Sequence, residues 1–174
     1  MKEKCSRCGQ EEKSTWFFGR NIYIYSCGVC GKKICNDCAR GMDKDNIRYL
    51  LGLLEKKYKE EYMEMCPECY CIYQNDYSKM LNAYNNNDDV EIVSANYKGE
   101  KKVSGDKHSI KSYFNRDREE SLNELKALAK YLGCNIVIDV ELNKDTDWEE
   151  TEGGGTHYYT IWRYSGIATH KAIK

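Results

Sequence analysis

Four Cys-x-x-Cys pairs, Cys5/Cys8, Cys27/Cys30, Cys35/Cys38 and Cys66/Cys69, take up eight of the ten cysteines in this 174-residue chain. A Cys-x-x-Cys brings two sulfurs onto one ion without strain, and a second pair closes the tetrahedron. The set therefore supplies two four-thiolate zinc sites. With four thiolates each, such sites keep no position open for water or substrate, so the two Zn²⁺ are expected to be structural. One pair alone would read equally well as a redox motif, and disulfides would need an oxidising compartment. No apolar stretch follows Met1–Cys5, and no run approaches the ~20 apolar residues of a membrane span. The expectation is a cytoplasmic chain without a membrane partner, its clustered thiols reduced and bound to metal.

The forms of the pairs suggest how they combine. Cys5-x-x-Cys8-Gly9 and Cys27-x-x-Cys30-Gly31 carry glycine after the second ligand, which permits the tight turn of a zinc knuckle. Cys35-x-x-Cys38 and Cys66-Pro67-Glu68-Cys69 read as helix starts. Pro67 suits a first helical position, and N–H groups there stabilise thiolate. Joining one knuckle to one helix start gives Cys5, Cys8, Cys35 and Cys38 at one zinc. Cys27, Cys30, Cys66 and Cys69 then hold the other, in an interleaved cross-brace. The sequential alternative places two knuckles on one ion and two helix starts on the other.

The elements between the ligands follow from periodicity. Trp16-Phe17-Phe18 and Ile22-Tyr23-Ile24-Tyr25 flank Gly19-Arg20-Asn21, predicting a β-hairpin. Ile47, Leu50, Leu51, Leu54, Tyr58, Tyr62 and Met65 recur at three- and four-residue spacing, predicting an amphipathic helix that faces a core or a partner. The polar run Asn85-Asn86-Asn87-Asp88-Asp89 has nothing to bury and sets the boundary between domains 1–84 and 85–174. Beyond it, Val90–Tyr97 reads as a strand, with Lys101-Lys102-Val103 as its return arm after Gly99. Leu122, Leu125, Leu128, Ala129 and Leu132 define a helix stopping at Gly133. Ile136, Ile138, Val140 and Leu142 give a strand with one apolar face, and Tyr158–Thr169 a last strand. The fold class is α+β: a small two-zinc module, then an antiparallel-rich strand-strand-helix-strand-strand domain.

Charge narrows the function. Residues 1–84 carry 14 Lys+Arg against 12 Asp+Glu, and residues 85–174 carry 13 against 16. That balance lacks the basic face that binding along a nucleic-acid backbone requires. Lys107, His108, Lys111, Arg116 and Arg118 surround Tyr113 and Phe114, a candidate patch for a nucleotide-like anion, with a charged loop as the plainer reading. Asp145, Asp147, Glu149, Glu150 and Glu152 crowd the segment before three glycines. Clustered carboxylates can bind a hard cation, but their spacing is not that of an EF-hand, and a solvated loop is the plainer reading. Cys134 reads as a small buried residue and Cys71 as a spare thiol beside a full site. His157 and His170 flank the last strand without a metal or catalytic signature.

Two resemblances add to this reading. The order C-x2-C, C-x2-C-x4-C-x2-C, C-x2-C, with Cys27-Gly-Val-Cys-Gly-Lys-Lys-Ile-Cys-Asn-Asp-Cys38 at its centre, resembles the FYVE class of cross-braced zinc fingers, and more loosely RING and PHD fingers. FYVE domains bind phosphatidylinositol 3-phosphate through a basic, histidine-containing motif. Here Tyr23-Ile24-Tyr25-Ser26 precedes Cys27, so the resemblance implies the metal scaffold without the lipid site. The stretch Leu132-Gly133-Cys134-Asn135-Ile136-Val137-Ile138, with Gly153-Gly154-Gly155 and Ser165-Gly166-Ile167-Ala168, resembles the YbjQ family. That family is small, bacterial and associated with heavy-metal binding, and its members form ring-like oligomers, notably pentamers. It implies homo-oligomerisation of about residues 90–170 and no catalytic residue.

Together these features predict a non-enzymatic, zinc-stabilised oligomeric scaffold with a protein partner. One alternative is a binder of a small anionic ligand or metal at subunit interfaces. Another is an enzyme, either a RING-like ligase or a thiol enzyme using Cys134.

Overall fold

A computed structural model describes residues 3–15, 19–41 and 64–172. The fold is α+β, and the chain divides into two compact units, Met1–Ser78 and Lys79–Lys174. Of the helix expected over Ile47–Met65, residues 47–63 lie outside the described residues, as does the Trp16–Phe18 arm of the expected hairpin; its last position, Met65, lies on a strand instead, where it pairs with Arg40.

In the first unit β1 (Ile24–Ser26) pairs antiparallel with β2 (Lys33–Cys35), placing Tyr25 opposite Ile34. β3 (Arg40–Gly41) pairs with β4 (Glu64–Met65). The arm around Tyr23 thus finds its ladder across the Cys27 turn, and Ile22 adds a single bridge to Lys13. Helix α1 runs Pro67–Asn85 with Pro67 as its first residue, where the missing N–H costs nothing. Cys35–Cys38 differs from the expected helix start. One turn forms, with Ala39 N–H donating to Cys35 O at 2.8 Å, and the chain then leaves for β3. Pairing of Arg40–Gly41 with Glu64–Met65 takes up the backbone groups that a helix would have used. Among the described residues of this unit Ile34, Met65 and Tyr73 are fully buried, and Cys5, Cys27, Cys35, Cys66, Cys69 and Asp76 are buried as well. Among the described residues the cysteines thus make up much of the buried part of this unit.

In the second unit one four-stranded sheet has the order β5–β7–β8–β6, from β5 (Glu91–Ser94), β6 (Val103–Lys111), β7 (Ile136–Glu150) and β8 (Thr156–Lys171). β5 is parallel to β7, and the other two pairings are antiparallel. Lys101–Val103 is therefore not the return arm of β5; its strand crosses to the opposite edge of the sheet. Helix α2 (Arg118–Tyr131) packs on the sheet through Leu125, Leu128 and Ala129. Asp117 caps it, accepting from Glu119 N–H at 2.7 Å. Gly133 ends it at φ 79°, with Cys134 N–H donating to Ala129 O at 2.9 Å, a Schellman closure. Ser112 and Ser121 share a buried hydrogen bond of 2.7 Å, and Glu124 accepts from Tyr113 N–H.

Two expectations change here. Val137 is as buried as Ile136 and Ile138, so β7 is covered on both faces at this end rather than on one. A bulge between Ile138 and Glu141 holds Asp139 at φ 54°, and its carboxylate pairs with Lys101. The polar run also contributes to the core. Asn87 is buried, its amide donating to Tyr84 O and to Asn123 Oδ1, each at 2.8 Å.

Candidate metal centres

The first unit gathers its cysteines into two groups. Cys5, Cys8, Cys35 and Cys38 form one, Cys27, Cys30, Cys66 and Cys69 the other, and within each all four sulfurs lie within 4.8 Å of one another. Among the described residues these are the only sets of three or more His, Cys, Asp or Glu that converge so closely. All ten cysteines are free thiols. Cys8 and Cys35 sulfurs are 3.6 Å apart, and Cys30 and Cys66 sulfurs 3.7 Å. A disulfide would bring them to about 2.05 Å. Tetrahedral ligation with Zn–S bonds of about 2.3 Å separates sulfurs by about 3.8 Å.

The two centres are built by the same local code. Gly9 and Gly31 both stand at φ 74°, donating N–H to Cys5 O at 2.9 Å and to Cys27 O at 2.8 Å. That left-handed turn is the reason for glycine after each knuckle. Ser6 N–H then donates to Lys33 O, and Gly28 N–H to Glu64 O, two residues before the second pair in each case. Ile34 and Met65 occupy matching buried positions. Each second pair closes with an i→i+4 bond, Ala39 to Cys35 and Tyr70 to Cys66. The interleaving is therefore one metal-binding unit used twice, a repeat that the spacing alone conceals because the intervening segments differ in length.

Electrostatics within each centre suits a cation. Burial pushes the Cys5 thiol up, but hydrogen bonds from the Cys8, Cys35 and Arg7 backbone outweigh it and bring it to about 6. Cys27 sits in the same balance, with the Cys30, Cys66 and Val29 backbone holding it to about 6. Burial and the neighbouring thiols push Cys38 up to about 12. Burial leads the rise of Cys66 to about 11. In each group one thiolate forms readily while two neighbours, Cys8 and Cys38 or Cys66 and Cys69, are pushed up, a conflict that a bound divalent cation removes. Cys8 and Cys30 are the exposed members, giving an ion a route in.

The remaining candidates do not converge. Cys71 is exposed on α1, outside both groups, and burial pushes the Cys134 thiol up, opposite to what a nucleophile needs. Asp145, Asp147, Glu149 and Glu150 lie on β7 rather than in a loop, so neighbours alternate between faces. Of the proposed anion patch, Lys107, His108 and Lys111 lie on β6. Arg116 pairs with Glu149 and stacks 3.5 Å from the centre of the Tyr159 ring. Arg118 donates to Tyr164 Oη at 2.8 Å, and Phe114 carries Arg163 on its face. His157 faces Glu149 at 3.3 Å, and His170 lies exposed at the end of β8.

Glu149 is held below the usual carboxylate range by Arg116 and then His157. A depressed folded value means that the contribution is present above the ordinary value near pH ~4.3 and fades as pH falls through the folded one. Thermal melts between pH 7 and 3 should therefore fall less steeply for Glu149→Gln than for the parent chain. Equal slopes would show that the pair contributes nothing. Comparison with protein-family models, curated proteins and solved structures finds no match to this chain.

Proposed function

We propose that this chain is a non-enzymatic interaction protein whose first unit is fixed by two structural Zn²⁺ and whose second unit assembles copies of it. The observation that carries the reading is the pair of four-cysteine groups, each with all sulfurs within 4.8 Å. A full thiolate tetrahedron leaves the ion no open position, so its contribution is folding rather than chemistry. Cys5, Cys8, Cys35 and Cys38 hold one zinc, and Cys27, Cys30, Cys66 and Cys69 the other. The interleaving supports a likeness to FYVE-type cross-braced fingers, with no basic lipid motif before Cys27. The Gly133 helix stop and the tightly enclosed Gly166 support a YbjQ-like reading of the second unit. Capture of a small anion by the Lys111–Arg116 patch is disfavoured, because Glu149 and Tyr159 already occupy Arg116.

Native mass spectrometry followed by denaturation of the same sample tests this reading. The expected result is an oligomer carrying two zinc ions per chain and no other retained mass. A bare monomer without metal would refute it, and a stoichiometric organic ligand would replace it with a binding function.

A further inference from the structure

β7 and β8 run on together well past the sheet. β5 covers β7 only from Ile136 to Val140, and Leu142–Glu150 continues with Thr156–Tyr164 as a two-stranded ribbon closed by Thr151–Gly155. An isolated two-stranded ribbon is marginal in water. This one also carries Trp148 and Tyr158 directly opposite each other, 56% and 66% exposed. Asn115 bridges to Trp162 and Arg116 pairs with Glu149 along the β8 side, which leaves the β7 edge open; an exposed aromatic pair beside an open edge marks a contact surface.

Charge indicates what covers it. Between Glu141 and Glu152 the ribbon has six acidic residues against Lys144 alone. At the other edge of the sheet, β6 presents exposed Lys107 and Lys111, neither with an ion-pair partner among the described residues. β8 lies between the two, so the acidic edge of β7 and the basic edge of β6 face opposite ways. They cannot meet within one chain. Lys111 and Asp145 also share a face of the sheet, since Lys111 and Glu141 both stand opposite Ser165.

We infer that the ribbon is an assembly arm: the acidic edge of one copy seats on β6 of the next, and the Trp148–Tyr158 pair is buried in the contact. This deepens the scaffold reading above and rests on it. Such a contact uses different surfaces on the two copies, so it closes into a ring or grows as a filament. Unpaired backbone on both edges adds strand pairing to the charge match.

The test is sedimentation of the zinc-loaded full chain across concentration and salt, with circular dichroism confirming the fold of each variant. Trp148→Ser and Tyr158→Ser should each weaken association by about tenfold or more. Raising the salt should weaken it as well. Asp145→Lys alone and Lys111→Glu alone should both dissociate the assembly, and the two together in one chain should restore it. An assembly indifferent to all of these changes would overturn the arm while leaving the scaffold reading intact. A monomer at every concentration would overturn both. A monomer whose ribbon takes up an oligolysine peptide would give the arm to a foreign basic partner instead.

Discussion

Changing Cys27 and Cys66 together to serine should leave one zinc per chain, whereas changing Cys5 and Cys66 together should leave none. The two results separate the interleaved arrangement from the sequential one, in which Cys27 and Cys66 would belong to different ions. Cys27 and Cys66 stand in one four-sulfur group here, and Cys5 in the other. Structural zinc contributes on the order of 10 kcal/mol to folding in small fingers. Among the described residues of this unit Ile34, Met65 and Tyr73 are the fully buried side chains beside the ligands, so the ligands make up much of its described core. Loss of one site should therefore lower the melting of this unit sharply, and excess chelator should reproduce the effect in the parent chain. Zinc per chain, read by elemental analysis after gel filtration, decides the pairing. Two sites emptied by the Cys27/Cys66 change would refute it.

Where the first unit was legible, its determinants are local. The glycines after Cys8 and Cys30 announce a left-handed turn, and Pro67 announces a helix start, whatever surrounds them. The sequence did not reveal that Cys35–Cys38 would turn once and stop. That outcome depends on Glu64–Met65 arriving beside Arg40–Gly41, a pairing between residues far apart in the chain. The structural repeat was hidden for a related reason. Its signal lies in backbone bonds such as Ser6 to Lys33 and Gly28 to Glu64, where side-chain identity is free to differ.

The second unit shows the same division. Its helix, with an Asp cap and a Gly stop, was readable, and so was the order of its elements. Which strand neighbours which was not, because β5 and β6 are set apart by pairings to β7 and β8 rather than by the Gly99 turn between them. The acidic stretch misled for a physical reason. Asp and Glu are poor strand formers, yet across a ribbon Asp147 finds the Tyr159 hydroxyl at 3.0 Å and Glu149 finds His157 at 3.3 Å. Cross-strand partners outweigh intrinsic propensity there.

Gly166→Ala should cost the second unit about 2 kcal/mol, within the range for forcing atoms into a packed core. For a unit of this size that corresponds to a fall of roughly 10 °C in Tm. A Cβ at this position would stand 2.8 Å from Val137 Cγ1, 3.0 Å from the Ile138 carbonyl oxygen and 3.1 Å from Val140 Cγ2. None of the three can retreat easily. Val137 is fully buried on a central strand, and Ile138 leads into the bulge where Asp139 is held in its left-handed conformation by the pair with Lys101. Gly153, in the ribbon turn with open space where its Cβ would go, is the contrast, and Gly153→Ala should be close to neutral. Adding Val137→Ala to Gly166→Ala removes the nearest obstacle, so the double variant should lose less than the sum of the singles. Strictly additive losses would show that the damage lies in the backbone around Ile138 rather than against Val137. A Gly166→Ala chain as stable as the parent would show that the sheet at the bulge yields more than its packing implies.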